Sequence, residues 1–145
     1  MIAIDTNLLV YAHREDSEWH EGAVAVLKGL AEGTAPWALP WPCVHEFLAI
    51  TTHPRIYVPP TPPKVALQAI RVWVEAPTCR LIGGGPGYFE ILERLVLQHR
   101  IAGPGVHDAR IAALCLHHGV AELWTLDRDF SRFGAPKTVN PLASR

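Results

Sequence analysis

The feature that most constrains this chain is a regular alternation of short apolar segments with longer segments of helical periodicity. Glycine, proline and polar residues separate the two kinds of segment. Strands that alternate with helices need crossover connections, which give a parallel sheet with helices on both faces. We therefore predict an α/β fold, a three-layer α/β/α domain around a short central parallel sheet. The predicted strands cover residues 2–4, 38–41, 79–82, 123–126 and 138–139.

Capping and helix-breaking residues predict the helix boundaries. The first strand is expected to pass through a turn at 5–7 into a helix that reaches Ala12. A second helix is expected to begin after an N-cap at Asp16-Ser17 and to end at Gly33. The remaining predicted helices cover 42–52, 62–74 after a cap at Thr61, 88–99 and 106–118.

Length and composition exclude several classes of protein. A chain of 145 residues suits one domain, so the predicted domain covers 1–145. The 49% apolar and 19% charged residues exclude a disordered tail. No apolar run approaches a membrane span, and no secretory leader is visible. Three widely spaced cysteines argue against a disulfide framework or a cysteine zinc site, so we expect a cytoplasmic protein without a membrane segment.

Acidic residues collect where predicted strands end or helices begin. Asp5 directly follows the first strand, and Asp127 and Asp129 directly follow the fourth. Glu46 and Asp108 lie in the first turns of two helices. Because ligands of open parallel sheets bind at the carboxyl ends of the strands, we expect these acids to meet at one edge of the sheet.

Helical phase supports a special role for two of these acids. Asp108 shares a helical face with Ile111 and further apolar residues, and Glu46 shares one with Ala49 and Ile50. An ionised carboxylate on an apolar face is costly unless a cation or a strong donor meets it. Taken singly, each acid could be a helix cap, a turn residue or one half of an ion pair. Their convergence on one edge favours a cation site.

A cluster of carboxylates either holds protons or binds a divalent cation, because like charges repel. Oxygen ligands favour Mg²⁺, or Mn²⁺, over zinc. These metals suit the hydrolysis of phosphodiester bonds. Two alternatives remain open: a phosphatase with Asp127 as nucleophile, and a non-catalytic module that only binds Mg²⁺. The Gly-rich segment 83–87 lacks the spacing of a nucleotide-binding loop, so no organic cofactor is expected.

Four short motifs follow each other at domain-sized spacing. They are Ile-Asp-Thr-Asn-Leu-Leu at 4–9, Val-His-Glu-Phe at 44–47, His-Asp-Ala-Arg-Ile-Ala-Ala at 107–113 and Trp-Thr-Leu-Asp-Arg-Asp-Phe at 124–130. Together they resemble the PIN-domain nucleases, and among these the VapC-type toxins of bacterial toxin–antitoxin pairs. The resemblance extends over almost the whole chain.

The resemblance implies an Mg²⁺-dependent endoribonuclease, the toxin of a type II toxin–antitoxin system. It implies an RNA substrate such as tRNA or rRNA, a small antitoxin that blocks the acidic edge, and a homodimer. The implied catalytic and metal-binding residues are Asp5, Glu46, Asp108 and Asp127, with Asp129, Thr125 and Asn7 in supporting roles. Thr125 is expected to orient a water or a phosphate, and the relative weight of the two late aspartates is left open.

The net charge of -1 excludes bulk positive charge as the means of holding RNA, so contacts to its backbone must be local. Arginine suits such contacts because its guanidinium binds phosphate in a bidentate manner. Six arginines are candidates: Arg55, Arg94, Arg100, Arg110, Arg128 and Arg132.

Overall fold

The computed structural model describes residues 1–143, and the last two residues of the predicted 1–145 domain lie outside the described part. The strands are β1 (Ile2–Ile4), β2 (Trp37–Pro40), β3 (Cys79–Ile82), β4 (Glu122–Trp124) and β5 (Lys137–Val139). The helices are α1 (Thr6–His13), α2 (His20–Glu32), α3 (Trp41–Thr51), α4 (Pro63–Val74), α5 (Tyr88–Gln98) and α6 (Gly105–His117). A 3-10 helix covers Arg128–Phe133.

The strands form one parallel sheet in the order β3-β2-β1-β4-β5, as the alternating pattern predicts. Ala3 and Ile4 are adjacent on β1 and both are 0% exposed. Because successive side chains on a strand point to opposite faces, both faces of the sheet are covered. The predicted three-layer α/β fold is confirmed.

The strand order places a switch point at the centre of the sheet. From β1 the chain moves outward through β2 to β3, and it then returns to the other side of β1 for β4 and β5. Ile4 of β1 pairs in register with Trp124 of β4, so the two strands end side by side. A crevice at such a reversal is the usual ligand site of open α/β sheets.

Three predicted boundaries are wrong for local reasons. No turn separates β1 from α1, because the Asp5 side chain caps the helix that begins at Thr6. The N-cap predicted at Asp16-Ser17 is displaced, since α2 begins at His20 and Asp16 instead binds Arg14. The predicted cap Thr61 is engaged by Arg14 and His13, and α4 begins at Pro63.

β4 ends two residues earlier than the sequence predicts. The Leu126 N–H donates to the Asn7 side chain at 3.4 Å rather than to a neighbouring strand. The chain therefore leaves the sheet toward α1. This path brings the residues that follow β4 to the switch point.

Three cysteines lie in the interior of the described chain as free thiols: Cys43, Cys79 and Cys115. Their state agrees with the expected lack of a disulfide framework. Within residues 1–143, none of the helices combines the length and apolar character that crossing a membrane requires.

Candidate active site

Asp5 lies at the carboxyl end of β1 and is only 5% exposed. Its Oδ1 accepts a hydrogen bond from the Thr6 N–H at 2.7 Å, which caps α1. Its Oδ2 accepts one from the Thr125 hydroxyl, also at 2.7 Å. The Cys43 Sγ lies 3.8 Å from Oδ1. The carboxylate is therefore held in one orientation by groups from the beginning and the end of the chain.

Burial raises the pKa of Asp5 from 3.8 to about 6. Hydrogen bonds from Thr125 and Thr6 act in the opposite direction, because they stabilise the charged form. The negative charges of Glu46 and Asp108 raise the pKa further. A cation beside Asp5 would offset both the cost of burying its charge and the repulsion from Glu46 and Asp108.

Thr125 joins the two strand ends at the switch point. Its hydroxyl donates to Asp5, and its oxygen accepts from the Asn7 side chain at 3.2 Å and from the Asp127 N–H at 3.0 Å. Because the one hydroxyl hydrogen is already donated to Asp5, these contacts do not support the expectation that Thr125 orients a water or a phosphate. Thr125 and Asn7 instead fix Asp5 and the start of the segment after β4.

Glu46 reaches the same region from α3. Its Oε2 accepts from the Thr6 hydroxyl at 2.7 Å, and its Oε1 lies 3.5 Å from Arg110 Nη2. The expected apolar face is only partly present, because Ala49 is exposed and Ile50 is half-buried. Glu46, whose side chain is 30% exposed, therefore lies at the margin of the buried face of α3.

Asp108 enters from the first turn of α6 and is also 30% exposed. Its Oδ2 lies 3.4 Å from Arg132 Nη2 of the 3-10 helix. Burial and the neighbouring carboxylate of Asp127 raise the pKa of Asp108, while Arg132 lowers it. The predicted apolar face is present, since Ile111 is 1% exposed.

Four of the predicted acids line one cavity of about 270 Å³. They are Asp5, Glu46, Asp108 and Asp127, and Asn7 lines the cavity beside them. Asp129 is exposed and is absent from the lining, and its N–H donates to Asp127 Oδ1 at 2.8 Å. Of the two late aspartates, Asp127 is thus the one that faces the cavity.

The donor set of this cavity suits a hard divalent cation, because it consists of carboxylate oxygens. Within residues 1–143, however, no group of three or more His, Cys, Asp or Glu side chains is arranged to hold a metal as it stands. Arg110 lies beside Glu46 and Arg132 beside Asp108, and Asp5 is fixed by two donors. A shared cation would require side-chain movements in which the arginines give up these carboxylates.

Several residues of the site carry no recognisable signal in the sequence. Arg110 and Arg132 are candidates for RNA contacts from their residue type, and nothing in the pattern indicates that they pair with carboxylates. Apolar and aromatic residues also line the cavity. These residues are Val10, Tyr11, Ile50, Tyr57 and Phe130.

A model of the PIN domain matches residues 2–136. Ribonuclease VapC48 of Mycobacterium tuberculosis is 30% identical over 139 residues, which cover 96% of this chain and 96% of the relative. Ribonuclease VapC43 of the same organism is 31% identical over 142 residues, 98% of this chain and 96% of the relative.

Two solved structures share the fold. One is VapC20 of Mycobacterium tuberculosis, described as a Sarcin-Ricin loop cleaving toxin, with a TM-score of 0.68 at 15% identity over 92% of this chain and 95% of that one. The other is VapBC2 from Rickettsia felis bound to a DNA fragment from their promoter, with a TM-score of 0.70 at 17% identity over 96% of this chain and 98% of that one. At these identities the likeness concerns the fold alone.

Proposed function

This chain belongs to the PIN-domain family and to its VapC-type members, and from that premise we propose that it is a metal-dependent endoribonuclease, the toxin of a type II toxin–antitoxin pair. The single observation that carries the proposal is the convergence of Asp5, Glu46, Asp108 and Asp127 on one cavity. These acids come from four distant segments, and the cavity lies at the switch point of the sheet.

The four carboxylates are the proposed ligands of Mg²⁺, with Mn²⁺ as a substitute. When bound, such a cation polarises a phosphoryl oxygen and lowers the pKa of an attacking water. The chain itself presents Asp5 in a fixed orientation through Thr6 and Thr125. Above about pH 6 the Asp5 carboxylate is mostly ionised and ready to accept a cation.

Arg110 and Arg132 are proposed to change partners when the site is loaded. Each lies beside a carboxylate that lines the cavity, Arg110 at 3.5 Å from Glu46 and Arg132 at 3.4 Å from Asp108. With those carboxylates engaged by a cation, the two guanidinium groups would be available to phosphate oxygens of the substrate. The proposal thus keeps for these two arginines the RNA contact expected from sequence.

Membership of the family supports a proposal for the substrate and the partners. We propose an RNA substrate, with tRNA or rRNA as the structured targets to test first, because the relatives are named ribonucleases and VapC20 is described as a Sarcin-Ricin loop cleaving toxin. A small cognate antitoxin, a homodimer and a cytoplasmic location complete the proposal.

The test is cleavage of end-labelled RNA by the purified protein in Mg²⁺, with and without a chelator. We expect fragments with 5′-phosphate ends in Mg²⁺ alone, and a loss of at least about 100-fold in Asp5→Asn and Asp108→Asn. Glu90→Gln is the matched control, because Glu90 is an exposed acid on α5 away from the cavity.

Two results would contradict the proposal. Release of inorganic phosphate from a small phosphate ester without RNA cleavage would favour the phosphatase alternative with Asp127 as nucleophile. Binding of Mg²⁺ without any hydrolysis of RNA or ester would leave only a binding module.

A further inference from the structure

Five of the residues that line the acidic cavity are apolar or aromatic: Val10, Tyr11, Ile50, Tyr57 and Phe130. A cation and a phosphate account for the carboxylates, but neither needs an apolar or aromatic surface. This apolar and aromatic lining therefore suits another part of the molecule whose phosphate lies at the carboxylates.

Tyr57 belongs to this lining and is contacted by a charged residue from outside the cavity. It is half-buried in the loop between α3 and α4. The guanidinium carbon of Arg14 lies 4.2 Å from the centre of its ring, so one face of the ring is covered by a cation.

Arg14 is itself bound on all sides by the protein. Its Nε and Nη2 donate to Asp16 at 3.0 Å and 2.7 Å. Its Nη1 donates to the Pro59 carbonyl at 3.1 Å and to the Thr61 hydroxyl at 3.3 Å. The side chain is only 13% exposed. Arg14 therefore acts as a positioning residue that fixes the loop and its tyrosine, and it is not a free phosphate contact.

We propose that Tyr57 binds a nucleobase next to the scissile phosphate by stacking. The inference rests on the proposed ribonuclease function and adds a base-binding subsite to it. Tyr57 and the four carboxylates line the same cavity of about 270 Å³, so a nucleotide whose phosphate meets the carboxylates would place its base in space that the Tyr57 side chain also lines. Bases stack on aromatic rings irrespective of sequence, because every base has a π-face.

The test is a thermodynamic cycle that combines a substitution in the protein with the removal of one base from the RNA substrate. The probe is a short end-labelled single-stranded RNA that the wild-type protein cleaves in Mg²⁺, together with versions that carry one abasic ribose on either side of the cut. Loss of one base–aromatic stack corresponds to about 5- to 100-fold in affinity. We expect Tyr57→Ala to raise KM by this factor with little change in kcat, because stacking binds substrate and transition state alike.

Coupling between the two changes identifies the base as the occupant. Tyr57→Ala and the abasic substitution at the stacked position should each weaken cleavage, and together they should cost no more than either alone. Tyr57→Phe should retain nearly full activity, because it keeps the ring. Val58→Ala is the matched control, since Val58 is 86% exposed on the same loop and does not line the cavity.

Several results would overturn the inference. One is an unchanged KM in Tyr57→Ala, and another is a loss that is independent of the abasic position, which would mean that Tyr57 acts only on the protein's own structure or on another ligand. Thermal unfolding of each variant separates loss of folding from loss of binding. RNA that even the wild-type protein does not cleave would count against the proposed function itself, and so the two failures are distinguishable.

Discussion

Asp5 combines three roles that ordinarily fall to different residues. Its side chain caps α1, it is almost fully buried, and it lines a cavity together with three further carboxylates. A cap could be satisfied by an exposed serine, and a buried position is cheaper with an apolar residue. An aspartate that bears the cost of burial at this point is the strongest residue-level argument for a cation site.

The raised pKa of Asp5 predicts a specific pH dependence of stability. The folded protein binds the proton of the Asp5 carboxyl group more tightly than the unfolded chain does, because the pKa of this group is about 6 in the folded state and 3.8 in the unfolded state. The contribution of Asp5 to the free energy of unfolding is therefore fully present below about pH 4 and is lost as the pH rises through about 6. The free energy of unfolding of Asp5→Asn, taken relative to that of wild type, should therefore rise by on the order of 3 kcal/mol between pH 4 and 7.5.

Urea denaturation of both proteins at several pH values, without divalent metal, measures this difference. Glu90→Gln serves as the control, because an exposed acid should show no such trend. A difference between Asp5→Asn and wild type that stays constant with pH would contradict the burial of an ionisable group at this position.

Thr125 yields a second prediction at this scale. Thr125→Val removes one donor and one acceptor from a buried network that includes Asp5, Asn7 and the Asp127 N–H. We expect a loss of about 1–3 kcal/mol in the free energy of unfolding, because the partners are left unsatisfied. Thr125→Ser keeps the hydroxyl and gives up only a methyl group, so it should lose less, and a loss in Thr125→Val no larger than that in Thr125→Ser would contradict the weight given to the hydroxyl. Denaturant titration at pH 7 distinguishes the two.

The acids of the site could be located from sequence because strand ends and helix starts are local features. Arg110, Arg132 and Tyr57 could not be assigned in this way, because their roles depend on residues 24 to 64 positions away, or on a loop whose path is fixed by Arg14. The hydrogen bonds of the Thr125 hydroxyl were equally hidden, since a hydroxyl in a motif does not reveal its partners.

The helices α5 and α6 end in the same way, but different residues occupy the left-handed position that follows each of them. After α5, the Ile101 N–H donates to Val96 O and Arg100 adopts a φ of 52°. After α6, the Val120 N–H donates to Cys115 O and Gly119 adopts a φ of 67°. Both are Schellman ends, in which glycine is favoured because the left-handed conformation costs other residues energy.

This comparison predicts opposite effects of two substitutions. Arg100→Gly should stabilise the protein by about 0.5–1 kcal/mol, because it removes the strain of a left-handed arginine on an exposed site. Gly119→Ala should destabilise the protein by about 1 kcal/mol, because alanine would have to adopt the left-handed conformation that glycine adopts without strain. Chemical denaturation measures both, and a stabilising Gly119→Ala would contradict the assignment.

Arg94→Gly is the control for the first substitution. Arg94 is an exposed arginine within α5, where glycine should cost about 1 kcal/mol. A gain in stability from both arginine changes would point to charge rather than to backbone conformation.

Element boundaries are predictable where a breaker is local and unpredictable where tertiary contacts compete. β3 falls at the predicted residues, and Gly33 ends α2 as expected. Asp16, by contrast, has the residue type of a cap and is diverted by Arg14. A composition pattern cannot show which of two polar partners a side chain selects.

At the scale of the whole molecule, the parallel sheet was predictable and the strand order was not. Alternation of strands and helices requires crossovers, which fixes parallel pairing. The return of the chain to the far side of β1 depends on long-range packing, yet this reversal is what places β1 and β4 side by side. Asp5 and Asp127 meet for that reason, although 122 positions separate them in the chain.

The central claim is that carboxylates from distant segments bind one divalent cation. Titration of the protein with Mn²⁺ at pH 7.5, followed by the EPR signal of free Mn²⁺, tests it most directly. We predict saturable uptake by wild type and by Glu90→Gln, with affinity reduced in Asp5→Asn, Glu46→Gln, Asp108→Asn and Asp127→Asn. Uptake should also weaken as the pH falls through about 6, because protons compete for Asp5. No uptake by wild type, or uptake that all four substitutions leave unchanged, would contradict the claim.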